Sequence, residues 1–502
     1  MPHATTIETL IRLSAVALLP TLACVAHAGD EPAGPGESPR FDDRVIVRLD
    51  DPFDPGALNA FVAAFEARPE LKAFALSPID SIAGRGIHLL ELSFDPGTPL
   101  FPVEAALENG VFDAHLQWGE FLYGDDAPEG ANGTTGSTYV DSIAPPAFGN
   151  QYAAGQLKLA QAHDRSTGAV TVAVLDTGID PNHPVFGSAV LPGFDFVDGD
   201  TDATETANGI DDDGDGVIDE MYGHGTYVAG LIRFVAPNAR ILPIRVLDDE
   251  GNGTGWPIIQ GLFAAIDSGV EVINVSIRST YDAQAVEDAV DEARSLGIAV
   301  VAAAGNFGID RREFPAAKSS ALGVIAVDDA DVKADFSSFN DKMFICAPGD
   351  TAFAGGTPDL DRAIVSALPG GDFGAWEGTS FATPMVAGAA ALIRAQHPEW
   401  QPNAGVVDQI EVRMAAGAVN IAAQNPGIDP DDLGVGRLDV AAAVGFGPIA
   451  PGVGDIDASG AVDFGDLARV IADWGLVHSS ADIDGDGVVG VGDLLTVLGR
   501  WD

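Results

Sequence analysis

Residues 170–178 read Val-Thr-Val-Ala-Val-Leu-Asp-Thr-Gly, a β-branched and aliphatic run that stops on Asp176. A strand that is apolar at nearly every position is buried on both faces, as happens inside a parallel sheet covered by helices. Comparable runs recur at Ile241 to Val246, Val272 to Ile277, Ile298 to Ala303 and Val324 to Val327. Helical patterns such as Trp256 to Asp267 and Ala283 to Ser295 lie between them. This alternation predicts an α/β fold, a doubly wound parallel sheet. Chemistry in such a sheet gathers just beyond the carboxyl ends of the strands, and Asp176, Ser276 and Asn306 all fall there.

The whole chain has 502 residues, room for about three domains, and its apolar fraction of 46% suffices for packed cores. Seventy-five acidic residues against 25 basic ones give a net charge of −50. Such a field repels phosphate backbones and anionic lipid, which excludes nucleic-acid binding as the main activity. The excess of carboxylate serves either solubility in a salty medium or the supply of oxygen ligands to divalent cations. Only Cys24 and Cys346 are present, so no disulfide scaffold holds the chain. Residues 13–26 form an apolar run after Arg12, and Ala26-His27-Ala28 places small residues where a signal peptidase needs them. The reading is a signal peptide over residues 1–28 and a mature product that is secreted, extracellular or at the cell surface, with no membrane span.

Outside the sheet region the pattern changes. From residue 41 to 123 a small α+β unit is expected, with strands at Val45 to Val47 and His88 to Phe94. Its helices are expected at Ala57 to Ala67 and Val103 to Glu108, followed by a half-apolar segment from His115 to Tyr123. Residues 124–140 are rich in Gly, Asp, Thr and Ser and read as an exposed connector, where proteolysis occurs. After a helical Leu438 to Val444, residues 447–454 form a Gly/Pro linker. The tail at 455–502 is too short to build much core without a metal or partner.

Hydrolysing an amide through a serine takes a hydroxyl, an imidazole, a carboxylate to orient it, and donors for the oxyanion. Asp176 opens Asp-Thr-Gly, His224 opens His-Gly-Thr-Tyr-Val-Ala-Gly, and Ser380 lies in Gly-Thr-Ser-Phe-Ala-Thr-Pro, with Ala304-Gly305-Asn306 between the last two. Four such motifs in this order resemble the subtilisin-like serine peptidases (subtilases), over a catalytic domain at residues 141–446. An esterase-type hydrolase would show the order Ser, Asp, His within Gly-x-Ser-x-Gly. The resemblance implies Ser380 as nucleophile, His224 as general base, Asp176 as the group that fixes its tautomer, and Asn306 as an oxyanion donor. It implies that substrate pairs as a strand with Ser276-Ile277-Arg278 and Gly251-Asn252-Gly253. It also implies a propeptide within residues 29–140 that is removed by self-cleavage between about Tyr123 and Tyr152.

Departures from the family pattern stand out near the substrate edges. Arg278 occupies a place where a small residue is common, and Phe307 follows the oxyanion asparagine, so both could crowd or charge the subsites. Arg278 either biases cleavage toward acidic residues near the scissile bond, or points to solvent or pairs with a nearby Asp. Tyr227, which stands for a frequent second histidine, reads as a core aromatic, and Pro384 as a residue of the first turn of the helix that carries Ser380.

Between Asp176 and His224, residues 211–219 place oxygens at Asp211, Asp213, Asp215, the Val217 carbonyl and Asp219. These match positions 1, 3, 5, 7 and 9 of an EF-hand loop. Tyr222 falls at position 12, so this reads as a calcium loop completed by water or a neighbour such as Glu220, against a merely solvated acidic loop. The tail repeats the design. Asp455, Asp457, Ser459, the Ala461 carbonyl, Asp463 and Asp466 fill one loop, and Asp482, Asp484, Asp486, the Val488 carbonyl and Asp493 fill the other. Such a loop–helix duplicate resembles dockerin modules, a small all-α calcium-binding fold whose partners are cohesin-like proteins on scaffolds or surfaces. Polypeptide substrates and Ca²⁺ complete the expected partners.

Overall fold

In a computed structural model, the structure describes residues 44–49, 56–82, 84–95, 98, 103, 114–118, 123–124, 143–211, 216–354, 356–445, 464–472, 474 and 489–498. The leader, the helix expected from Val103 to Glu108 beyond its first residue, and the 447–454 linker lie outside them. So do the expected calcium ligands Asp213, Asp215, Asp455, Asp457, Ser459, Ala461, Asp463, Asp482, Asp484, Asp486 and Val488.

The amino-terminal unit is a four-stranded antiparallel sheet of β1 (Arg44–Leu49), β2 (Phe74–Ile82), β3 (Ile87–Phe94) and β4 (Ala114–Trp118), in the order β2-β3-β1-β4. One helix, α1 (Ala57–Glu66), places Phe61 and Phe65 against it. Strand β2 escapes the sequence pattern because Pro78 breaks its alternation. The register slips between Pro78 and Asp80, and an edge strand is where a sheet tolerates proline. A two-residue strand, β5 (Tyr123–Gly124), follows.

The larger unit is the expected parallel sheet. Its strands are β6 (Thr171–Asp176), β7 (Phe194–Asp195), β8 (Arg240–Arg245), β10 (Val272–Val275), β11 (Ala299–Ala303), β12 (Ala321–Val327) and β13 (Ile345–Pro348), with β9 (Asn252–Gly253) outside it. The order is β13-β12-β11-β10-β6-β8-β7, and every pairing is parallel. The period-2 alternation of side chains divides β6 between two cores. Val172 and Val174 face helices α2 (His224–Val235) and α5 (Thr379–Gln396), whereas Ala173 and Leu175 face α3 (Gly255–Asp267) and α4 (Gln284–Ser295). Cys346 is buried in the second core, and burial pushes its thiol pKa up, as suits a small hydrophobe.

Residues of the amino-terminal sheet enter that second core as well: Ile46, Ile87 and Leu89 pack with α3 and α4 residues. Polar contacts frame this seam. The Arg85 guanidinium reaches Asp267 at 2.8 Å and Glu292 at 2.7 Å, while Trp256 Nε1 donates to Asp80 at 3.1 Å. Strand β5 pairs antiparallel with β9, Tyr123 opposite Gly253 and Gly124 opposite Asn252.

In the tail, α6 (Phe464–Ala472) and α7 (Val491–Leu498) pack through buried Val470, Val489 and Val497. Asp466 and Asp493 each stand third in their helix.

Candidate active site

Asp176 ends β6, and its Oδ1 accepts the Thr177 N–H at 2.8 Å and bonds His224 Nδ1 at 2.6 Å. With Nδ1 donating, the neutral imidazole carries its lone pair on Nε2. His224 is the first residue of α2, entered through Gly223 at φ 103°, a left-handed conformation that favours glycine. Its ring is fully buried and lies 5.6 Å from Trp376 and 5.3 Å from Phe381, centre to centre. Tyr227, also buried, packs edge-on against Trp376 and tilted against Phe381, and its hydroxyl donates to the Ile364 carbonyl at 2.7 Å, so it is the core aromatic expected.

Ser380 is the second residue of α5, where helix N–H groups converge and favour negative charge. Its Oγ donates to the Ser276 carbonyl at 3.2 Å, and Ser276 Oγ donates to the Ser380 carbonyl at 2.8 Å. Pro384 corrects the sequence reading. It is the sixth residue of α5, in the second turn, not the first. Having no N–H, it leaves the Ser380 carbonyl four residues back without its helical donor, and Ser276 Oγ takes that place. Asn306 Oδ1 accepts from Thr379 N at 3.0 Å and Thr379 Oγ1 at 2.9 Å. Its amide nitrogen is thereby turned toward Gly378, where an added Cβ would come within 3.7 Å of it.

Sequence reasoning missed Glu205. This buried carboxylate accepts from Thr177 Oγ1, Thr226 Oγ1, Gly223 N at 2.8 Å and Thr226 N at 3.3 Å. Thr177 follows Asp176, while Gly223 and Thr226 flank His224, so one carboxylate ties the acid's loop to the start of the histidine's helix. Burial pushes its pKa from 4.5 up to about 7, with the hydrogen bonds opposing and nearby Asp176 adding to the rise. It sits in Thr-Glu-Thr-Ala, a stretch with no motif to mark it.

The expected substrate edges lie beside this centre. Ser276 and Ile277 are buried just past β10. Arg278 is buried too and pairs with an acid, but a glutamate from another segment: its Nη1 is 3.4 Å from Glu313 Oε2. Phe307, 38% exposed, lies between two guanidinium groups, Arg278 at 4.1 Å and Arg311 at 4.5 Å from its ring centre. Gly251, Asn252 and Gly253 are the second expected edge, and this chain's own β5 is paired to Asn252–Gly253.

In the acidic insertion, Asp211 accepts from Gly216 N at 3.1 Å, Val217 is exposed, and Asp219 accepts from Asn208 N and Gly209 N at 3.1 Å each. The loop is fastened to the segment before Gly251: Asp249 accepts from Asn208 N at 2.7 Å and Glu250 from Asp219 N at 3.2 Å. Burial and a carboxyl contact with Asp219 raise the pKa of Asp249. Two carboxyl groups in contact fit a place where a divalent cation would sit. Among the described residues, no group of three His, Cys, Asp or Glu is gathered to hold a metal.

The profile of the subtilase family, peptidase S8, matches residues 167–447, more than half of the chain. Subtilisin of Bacillus pumilus is 38% identical over 275 residues, 52% of this chain and 90% of that protein. Subtilisin E of Bacillus subtilis is also 38% identical over 275 residues, 52% of this chain and 65% of that protein, so the chain spans just under two thirds of that relative. Thermitase of Thermoactinomyces vulgaris is 35% identical over 247 residues, 49% of this chain and 82% of that protein. Among solved structures, a protease from Pseudoalteromonas arctica superposes with a TM-score of 0.50 at 29% identity, over 58% of this chain and 93% of that one.

The raised pKa of Glu205 has a signed consequence. Between pH 4.5 and about 7 the folded chain keeps a proton that the unfolded chain has released, so stability from this group falls as pH rises through that window. In a Ser380→Ala background, Tm measured against pH should show that slope with Glu205 and lose it in Glu205→Gln. Glu205→Leu, which leaves the Gly223 and Thr226 N–H groups without an acceptor, should lower Tm at every pH.

Proposed function

Because the chain belongs to the subtilase family, we propose that it is a secreted serine endopeptidase, made as a zymogen that cleaves itself. The observation that carries the reading is the 2.6 Å bond between His224 Nδ1 and Asp176 in a fully buried setting, with the His224 ring 5.3 Å from that of Phe381, the residue after Ser380 at a helix start. Ser380 Oγ attacks the peptide carbonyl while His224 Nε2 takes its proton, and His224 returns that proton to the leaving amine. Asp176 holds the ring in the required tautomer and stabilises the imidazolium. The Ser380 N–H and the Asn306 amide receive the oxyanion. Polypeptide substrates pair with Ser276–Arg278 and with Gly251–Gly253. The zymogen reading is supported by β5, a segment upstream of the catalytic domain that is paired to this second edge.

Calcium is the proposed metal. Asp211 and Asp219, with Asp213, Asp215 and the Val217 carbonyl between them, would hold one ion in the insertion. The tail loops ending at Asp466 and Asp493 would hold two more in a dockerin-like module, whose small valine core calls for such support. A cohesin-like surface or scaffold protein is the proposed partner of that module. No helix among the described residues is long and apolar enough to cross a membrane.

Purified protein should hydrolyse casein, and a serine-reactive phosphonate should abolish this. Ser380→Ala should accumulate as the unprocessed chain, and its maturation when expressed alone would refute self-cleavage. Asn306→Ala should lower kcat by about 10²–10³, as removal of such a donor does in a subtilisin.

Chelation of calcium should lower the Tm of the Ser380→Ala chain by several degrees, about 2–4 °C for each kcal/mol of binding energy lost. Asp211→Ala should remove part of that shift, and a Tm indifferent to both would refute the insertion site.

A further inference from the structure

Two chain segments leave the sheet side by side next to the nucleophile. Ser276–Arg278 runs on from β10, and Ala304–Asn306 from the neighbouring β11. Open α/β sheets receive ligands beyond the carboxyl ends of their strands, so the space between these two continuations is the crevice that a bound peptide would meet. A peptide whose carbonyl lies between Ser380 and the Asn306 amide, and whose backbone follows Ser276–Arg278, directs into that crevice the side chain on the acyl side of the scissile bond.

The walls of this crevice are charged. Behind Gly305, an added Cβ would stand 3.0 Å from the Glu313 carboxyl carbon and 3.2 Å from Arg278 Cδ. Arg278 and Arg311 flank Phe307 from two sides, and both reach Glu313, at 3.4 and 3.5 Å. Two guanidinium groups thus face one carboxylate whose ionisation burial disfavours. The balance is positive, in a chain that carries only 25 basic residues against 75 acidic ones.

The chain's own sequence supplies an independent observation. Strand β5 ends at Gly124, paired to Asn252 on the opposite substrate edge, and the next two residues are Asp125 and Asp126. A scissile bond after either of them would present a carboxylate on its acyl side.

We propose that the crevice walled by Arg278, Arg311, Phe307 and Glu313 selects an aspartate or glutamate on the acyl side of the scissile bond, and that Asp125-Asp126 is its first substrate. The proposal rests on the peptidase reading. The two arginines attract the arriving carboxylate in a partly water-excluded crevice, where charge-assisted hydrogen bonds are strong. Glu313 and the Phe307 ring hold the guanidinium groups in place before substrate arrives.

The test is a set of quenched fluorescent peptides identical except for Asp, Glu, Asn, Leu or Lys at that position, cleaved by the mature enzyme. Asp and Glu should exceed Asn and Leu by about tenfold in kcat/KM, the worth of one charged hydrogen bond, with Lys lowest and the contrast reduced in 1 M salt. Arg311→Gln, at a partly exposed position, should lower the Asp-to-Asn ratio severalfold, and the double variant Arg278→Gln/Glu313→Gln should bring it near one. In the full-length chain, Asp125→Asn with Asp126→Asn should slow self-cleavage, and mass spectrometry should place the new amino terminus after one of the two positions. Equal cleavage of the Asp and Leu peptides, preference for Lys, or a ratio unmoved by both variants would overturn the proposal and leave the peptidase standing. A folded protein that cleaves neither any peptide nor casein would overturn the peptidase reading itself.

Discussion

The whole site depends on how closely α2 can approach the end of β6. A Cβ on Gly225 would lie 2.0 Å from the Gly178 carbonyl oxygen, so any side chain there would push the helix away and carry His224 off Asp176. The same helix has a second close approach one turn and a half later, where a Cβ on Gly230 would lie 2.3 Å from Ser366 Oγ. Two glycines thus set the depth of the helix. The strand, buried on both faces, fixes the other partner, and a 2.6 Å bond between Asp176 and His224 follows from backbone placement.

Depth carries an electrostatic cost. Asp176 and Glu205 are two buried carboxylates close enough for one to raise the pKa of the other. Desolvation of this kind is tolerable only when hydrogen bonds replace water. Glu205 meets four donors, two hydroxyls and two backbone N–H groups, drawn from both sides of the Asp176–His224 pair. The donors at Gly223 and Thr226 belong to the start of α2, which would otherwise leave N–H groups without acceptors. One side chain therefore satisfies the helix terminus and binds it to the loop of the acid.

Legibility in the sequence followed periodicity. The strands with unbroken apolar runs and the motifs at their ends are evident from residue order, because burial on both faces and a glycine after a functional residue are local signals. Strand β2 was hidden by Pro78, whose tolerance depends on lying at a sheet edge. Glu205 was hidden because its role comes from four donors on three residues, all 18 or more positions away in sequence. Arg278 was flagged as a departure, but Glu313 lies 35 residues away and only the fold joins them. The true place of Pro384 needed the helix start, since a shift of one turn changes it from a bystander into the residue that frees a carbonyl for Ser276.

Charge distribution links the two ends of the argument. A chain of net charge −50 that favours carboxylates next to the scissile bond would be its own best substrate wherever an acidic loop could enter the cleft in extended form. The acidic insertion avoids this geometry. Asp211 and Asp219 spend their oxygens on backbone N–H groups of their own loop, and Asp249 and Glu250 tie that loop down beside the substrate edge. Backbone N–H groups held by such carboxylates are not free to pair with a strand, and calcium bound by the same acids would add to that hold. The connector after Gly124 differs in place: its first two aspartates directly follow a segment already paired to the edge. Selectivity between the two acidic stretches then needs no difference in side-chain chemistry, only the difference between an insertion fastened by its own hydrogen bonds and a segment that follows a strand already paired to the edge.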